Sequence, residues 1–239
     1  NSSVRVWDVT EPSKAFQLPG SYNGSTYQFV TMDSVFRQYV AFDGSSYKSV
    51  KCIGQVSNQN LHGVESQVDM IIVAHPDFWS QAEQLAAVRR QEQGLTIRIV
   101  SPAQIYNEFS SGAQDPVAIR DYLKMIYEKS AGAYPKYLLL FGRPSYDYRG
   151  RVSGTSLYVP NYQRPLGNVI VEGSFRANDD FFGILDDGEG QSSHGFVDVA
   201  VGRFPVTTAA QANLAVSKSV NYTASRNLVP ASSTQVSNW

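Results

Sequence analysis

The chain has 239 residues, a formal net charge of −1 and 17% charged residues, enough length for one large domain or two small ones. Near-balanced charge without a basic stripe argues against nucleic-acid binding, and no apolar run reaches the ~18–20 residues that span a bilayer. The single cysteine, Cys52, excludes an internal disulfide framework. No signal peptide opens the chain; it begins on Val4-Arg5-Val6-Trp7, which already reads as a strand, and is expected to be part of something longer.

Residues 1–66 alternate short strands with turns. Residues 25–32 and 37–43 space β-branched and aromatic side chains by two, Asp43-Gly44-Ser45-Ser46 signals a turn, and residues 48–56 offer a third strand. No helical period appears, so this part is read as a small all-β module, the end of an upstream β domain. From residue 67 the rhythm changes. Met70-Ile71-Ile72-Val73-Ala74 is continuously apolar, as in a strand covered on both faces. Pro76 and Asp77 start a helix with Phe78, Ala82, Leu85 and Ala86 on one face, closed by Gly94. A strand follows over 95–100. Ser101-Pro102-Ala103-Gln104 has the form of a capping box, and the short helix it opens ends by Gly112.

Asp115-Pro116 caps a helix with an apolar stripe of Ile119, Tyr122, Leu123, Ile126 and Tyr127. Residues 137–141 are a third buried strand and 196–201 a fourth, and Thr208 starts a closing helix. Strands alternating with amphipathic helices predict an α/β fold: a flavodoxin-like parallel sheet with helices on both faces, over 67–239. Ligands of such sheets bind beyond the carboxyl ends of the strands. Those ends are His75, Ser101, Gly142-Arg143 and Gly202-Arg203, and the long polar segment 144–178 belongs near that rim.

Each candidate for chemistry has a plainer reading. His75 could serve as a general base; as part of His-Pro-Asp it is better read as a turn residue capping backbone groups. Cys52, within Val50-Lys51-Cys52-Ile53, is read as a small hydrophobe in a strand rather than a nucleophile. His62 and His194 are read as solvated loop residues without metal spacing. Asp179-Asp180 and Asp186-Asp187-Gly188-Glu189 gather carboxylates without the pattern of a calcium loop. Arg143 and Arg203 could hold an anionic group, or each could pair with a nearby acid such as Asp147 or Asp198; the second is preferred. Arg143, Asp179, Asp180 and Arg203 stand as rim or substrate-binding candidates. No glycine-rich phosphate motif follows a strand, so no cofactor is expected, and no metal site is assigned.

Three stretches carry a resemblance: Lys136-Tyr137-Leu138-Leu139-Leu140-Phe141-Gly142, Asn178-Asp179-Asp180-Phe181-Phe182-Gly183, and Asp198-Val199-Ala200-Val201-Gly202-Arg203-Phe204-Pro205. In that order they resemble the first half of the catalytic domain of gingipain-like cysteine peptidases. Val6-Trp7-Asp8-Val9-Thr10, Asn58-Gln59-Asn60-Leu61-His62-Gly63 and Tyr106-Asn107-Glu108-Phe109-Ser110-Ser111-Gly112 are similar to the Por-type sortase branch of the type nine secretion pathway. The resemblance implies a caspase-like peptidase domain whose nucleophile is a cysteine and whose base is a histidine in a Gly-His-Gly context. Both fall beyond the Gly-Arg-Phe strand and its helix, so no residue here receives a catalytic role, and the chain by itself is expected to be inactive. It also implies an exported protein at the cell surface or outer membrane of a Gram-negative bacterium. The implied partners are the rest of its own peptidase domain, cargo with C-terminal sorting domains, and other secretion components. The family's calcium position four residues before the Gly-Arg-Phe glycine matches Asp198, but Arg143 stands where another acid would, so no calcium site is carried over. A non-catalytic scaffold within a secretion machine is the alternative.

Overall fold

The computed structural model describes residues 3–31, 35–49, 51–52, 54–63, 67–154, 156–165, 175–190 and 195–227. The chain forms two compact units, Asn1–Ser57 and Asn58–Trp239.

In the first unit, β1 (Arg5–Asp8) lies between β2 (Phe16–Leu18) and β5 (Tyr39–Phe42) in an antiparallel sheet. β3 (Gly20–Tyr22) and β4 (Tyr27–Phe29) make a separate hairpin. Its turn is closed by Asn23, whose Oδ1 accepts from the N–H of Ser25 and of Thr26, with Gly24 at φ 95°. Val6 sits opposite Leu18 and both are buried. Asp8 is buried beside them because its carboxylate accepts from Thr10 N–H and from Arg37 Nη1 at 2.8 Å. The strand expected over 48–56 is not formed among the described residues; with no ladder to join, Cys52 is exposed, not packed as a small hydrophobe.

The second unit is built on a parallel sheet with strand order β11-β8-β6-β7. These strands are Ala200–Phe204, Tyr137–Phe141, Met70–Ala74 and Ile97–Val100. The pleat sends alternate side chains to opposite faces, and both faces are covered, which is why β6 and β8 are apolar throughout. Ile71, Val73, Leu138 and Leu140 meet Ile105 of α2 (Pro102–Phe109) and Ile119, Tyr122, Leu123 and Ile126 of α3 (Pro116–Lys129). Ile72, Ala74, Leu139 and Phe141 meet Ala82, Leu85 and Ala86 of α1 (Trp79–Gln93) and Ala212 and Val216 of α4 (Ala209–Asn227). Each large apolar side chain so buried contributes roughly 1.5–3 kcal/mol. No helix among the described residues is long and apolar enough to cross a membrane.

The helix boundaries follow their caps. A short 3-10 turn over Pro76–Phe78 precedes α1, and Gly94 ends α1 in the left-handed region at φ 65°. Ser101 and Gln104 form the reciprocal capping box of α2, and the Asp115 side chain accepts from Val117 N–H to start α3. β11 begins later than the apolar run starting at Phe196 suggests. The N–H groups of Asp198 and Val199 donate to Gly183 O, so the ladder to β8 opens only at Ala200, opposite Tyr137, and Phe196 is exposed.

The boundary at Ser57/Asn58 precedes the change of rhythm near residue 66 because residues 59–62 are latched onto α2. The Glu108 carboxylate accepts from Gln59 Nε2, Leu61 N–H, His62 N–H and His62 Nδ1, at 2.7–3.1 Å. Leu61 is buried, the His62 ring stacks on Phe109 at 4.4 Å, and Lys129 Nζ donates to His62 O. His62 keeps the exposed turn position expected of it and is also a bonded member of this latch. Burial pushes the Glu108 carboxyl up, but the bonds from Leu61, Gln59 and His62 more than offset that and hold it at about 2. A carboxyl lowered in the folded state stabilises above its unfolded value and loses that contribution as pH falls through its folded value. Wild type is therefore expected to lose stability between pH ~4.5 and ~2 through this group. Glu108→Gln removes that part of the acid dependence, which denaturation midpoints across the range would reveal; identical pH profiles for the two proteins would refute it.

Candidate functional site: the carboxyl edge of the parallel sheet

The carboxyl ends of β6, β8 and β11 meet at one edge, and the side chain that organises it is Arg203. Its guanidinium has five N–H donors, and all five are used. Nε and Nη2 grip the two oxygens of Asp179 at 2.6 and 2.8 Å. Nη1 donates to Gly142 O and Val159 O, and Nη2 also donates to Pro160 O, at 2.8–2.9 Å. Arg203 thus ties β11, the end of β8, the segment 158–160 and the acidic loop into one clip. Its partner is Asp179, neither Asp147 nor Asp198: Asp147 Oδ2 accepts from Val152 N–H, and Asp198 Oδ2 from Leu185 N–H. Fork-on-fork geometry with a carboxylate two strand ends away is a tertiary arrangement with no local signature.

Of the four rim candidates, Arg203 and Asp179 satisfy each other inside the protein. Arg143 and Asp180 are exposed, and no side-chain hydrogen bond or ion pair holds either among the described residues. The Arg143 backbone is fixed, its N–H donating to Val206 O and its carbonyl accepting from Tyr158 N–H. Of the four, Arg143 and Asp180 are the ones whose side chains stay exposed.

Gly142 is required where it stands. It lies at φ 148°, and a Cβ there would come within 2.6 Å of Tyr158 Cβ. That close approach seats Tyr158, Val159 and Pro160 over the strand ends; Val159 is fully buried. Tyr158 Oη donates to Thr207 O, and its ring packs edge-on against His75 at 4.9 Å. Sequence reading missed these three residues, though an apolar island within a polar stretch was a usable signal. The segment 144–178 also contains a hairpin of β9 (Tyr162–Pro165) and β10 (Phe175–Asn178), with Tyr162 stacked on Phe181 at 3.7 Å.

His75 does what its turn context suggests: its Nδ1 accepts from Asp77 N–H at 3.3 Å and caps the Pro76–Phe78 turn. Burial lowers its pKa, with the Asp77 carboxylate opposing, which suits a neutral imidazole acting as an acceptor. The only thiol, that of Cys52, belongs to the other compact unit. His194 lies outside the described residues. The acidic stretch at 186–189 is gripped from α3. Arg120 donates to the carbonyls of Ile184, Asp186 and Glu189, while Lys124 bonds Leu185 O and pairs with Asp187 at 2.7 Å. No group of three or more His, Cys, Asp or Glu side chains among the described residues is placed to hold a metal.

A parallel sheet wrapped by helices, with a loop-built carboxyl edge, defines a caspase-like α/β unit. Residues 64–238 match the model of Peptidase family C25, and the chain belongs to that family, the gingipain-type cysteine peptidases. Among solved structures it is similar to the dimeric latent PorU of Porphyromonas gingivalis, at 30% sequence identity and a TM-score of 0.76. That similarity covers 93% of this chain and 22% of the PorU chain. No curated protein matches the chain.

Proposed function

We propose that this chain supplies the first, sheet-bearing part of a sortase-type cysteine endopeptidase that removes C-terminal sorting domains from cargo exported through the type nine secretion pathway. In this reading residues 67–239 form the start of the peptidase domain and 1–66 the end of a β domain before it. The protein works at the surface of a Gram-negative cell, with other secretion components as partners. The observation that carries the reading is the PorU likeness, which extends over both compact units at 30% identity. The chemistry is thiolate attack on a peptide carbonyl. This chain contributes the rim, with Arg143 and Asp180 toward substrate and the Arg203–Asp179 clip beneath, while the thiol and imidazole come from other parts of the protein. β11 is the last strand of the sheet among the described residues, so its outer edge is available to a further strand carrying them.

The test compares the 239-residue chain with a longer form of the protein on a fluorogenic peptide spanning a sorting-domain junction. The chain alone is expected to give no cleavage, and Cys52→Ala in the longer form to leave its rate unchanged. Cleavage by the chain alone that disappears in Cys52→Ala would overturn the reading. A longer form that binds the peptide but never cuts it would favour the scaffold alternative.

A further inference from the structure

Gly142 and Gly183 are pressed by this chain's own atoms, but a Cβ on Gly202, in the middle of β11, would meet nothing within 4 Å. Glycine inside a strand weakens it and often marks a place where another segment comes close. Among the described residues nothing comes close to Gly202. It pairs with Leu139, so both look to the face of the sheet that α1 and α4 cover. There an apolar groove of about 710 Å³ is lined by Met70, Leu95, Leu139, Gly202 and Tyr222. Its one charged side chain, Arg89, donates to Ser219 O and Oγ.

The backbone of β11 is open on the same side of the unit. Ala200 N–H donates to Lys136 O and Phe204 O accepts from Gly142 N–H, so these alternate residues face β8. Val201 and Arg203 therefore turn their N–H and C=O groups to the outer edge, where no strand lies among the described residues. Exposed apolar side chains gather around this edge: Phe196 and Val197 before β11, Tyr137 at the start of β8 and Tyr222 on α4. β7, the opposite edge strand, exposes no large apolar side chain. An open ladder beside an unfilled apolar socket fits an extended segment that carries a bulky apolar residue. A small ligand would fill the groove and leave the ladder open. The family is one of cysteine peptidases, yet the only thiol here belongs to the other unit, and the chain spans 22% of the PorU chain it is similar to. The segment is therefore sought in the same protein.

We propose that the β11–α4 flank is the seam on which the remainder of the peptidase domain docks. A strand of that remainder pairs with Val201 and Arg203, and one of its large apolar side chains seats over Gly202 against Leu139. β11 is then an interior strand of the whole protein and β7 a true edge. That the docked part carries the thiol and imidazole rests on the peptidase reading; the seam does not, so the two fail separately.

The experiment places Gly202→Leu in the 239-residue chain and in a longer form of the protein and follows thermal denaturation and amide exchange. In the chain alone the new side chain falls into open space, and the midpoint should stay within about 2 °C of the parent or rise. In the longer form the socket is already filled, and the midpoint should fall by several degrees. The amides of Val201 and Arg203 should exchange ~100-fold or more slowly in the unaltered longer form than in the unaltered chain. Should Gly202→Leu prevent the longer form from folding, that exchange comparison still decides. Equal tolerance of Gly202→Leu in both forms, or equal exchange at Val201 and Arg203, would overturn the seam. Protection of these amides that rises with the concentration of the chain alone would assign the edge to a second copy and overturn it too. A longer form that passes both tests but cuts no peptide keeps the seam and sinks only the peptidase reading.

Discussion

Arg203→Ala is expected to lower the stability of the second unit by about 3 kcal/mol, toward the lower end of what breaking one partner of a buried ion pair costs. The Arg203 side chain is 9% exposed and that of Asp179 30%, so water relieves part of the carboxylate's loss but little of the rest. The carbonyls of Gly142, Val159 and Pro160 lose their donor at the same time. Arg203→Lys restores charge without the five-donor fork and is expected to recover less than half of the loss. Urea denaturation gives the magnitude. Amide exchange resolved by residue gives the place: protection should fall first at 158–160 and at the end of β8. A loss under ~1 kcal/mol, the usual worth of an exposed pair, would mean that the clip does not hold the rim together.

Gly183→Ala is expected to cost ~1–3 kcal/mol or more, the range for overpacking a tight contact. A Cβ on Gly183 would lie 2.3 Å from Val199 O and 2.8 Å from Val201 Cγ2. The carbonyl has little room to retreat, because Gly183 O itself accepts from Asp198 and Val199 N–H and holds the two segments together. Gly202 is the control. A Cβ there meets nothing within 4 Å, so Gly202→Ala should change stability by less than ~0.5 kcal/mol. Thermal denaturation of the two variants separates the outcomes. Similar midpoints would show that the Asn178–Gly183 turn does not press on β11 as described.

The two glycines show where reading the sequence succeeds and where it stops. Both sit in the stretches that carry the family resemblance, and nothing in their neighbours says that one is wedged against backbone and the other faces open space. The same holds for acidic residues. Asp115 announces itself as a helix cap because its partner, Val117 N–H, is two residues away. Asp179 does not, because its partner is Arg203, reached only when β11 lies beside β8. Glu108 looks like an ordinary helix-surface acid, yet it is the centre of the latch at 59–62. The strand expected over 48–56 is not formed among the described residues for a related reason. Its alternation suits a strand, but a strand persists only beside a partner, and the partners of β1 are β2 and β5.

By itself the sequence determined the α/β class, the order of β6 to α4, the helix caps and the apolar faces. Each depends on period, propensity and hydrogen bonds that span a few residues, and the chain writes these locally. The tertiary structure alone decided that Arg203 and Asp179 are spent on each other, that of the four rim candidates Arg143 and Asp180 stay exposed, and that Tyr158 to Pro160 cover the strand ends. Those outcomes depend on which strands become neighbours and on how closely Gly142 lets a distant segment approach. Such contacts join residues some 16 to 61 positions apart, and no local pattern encodes them.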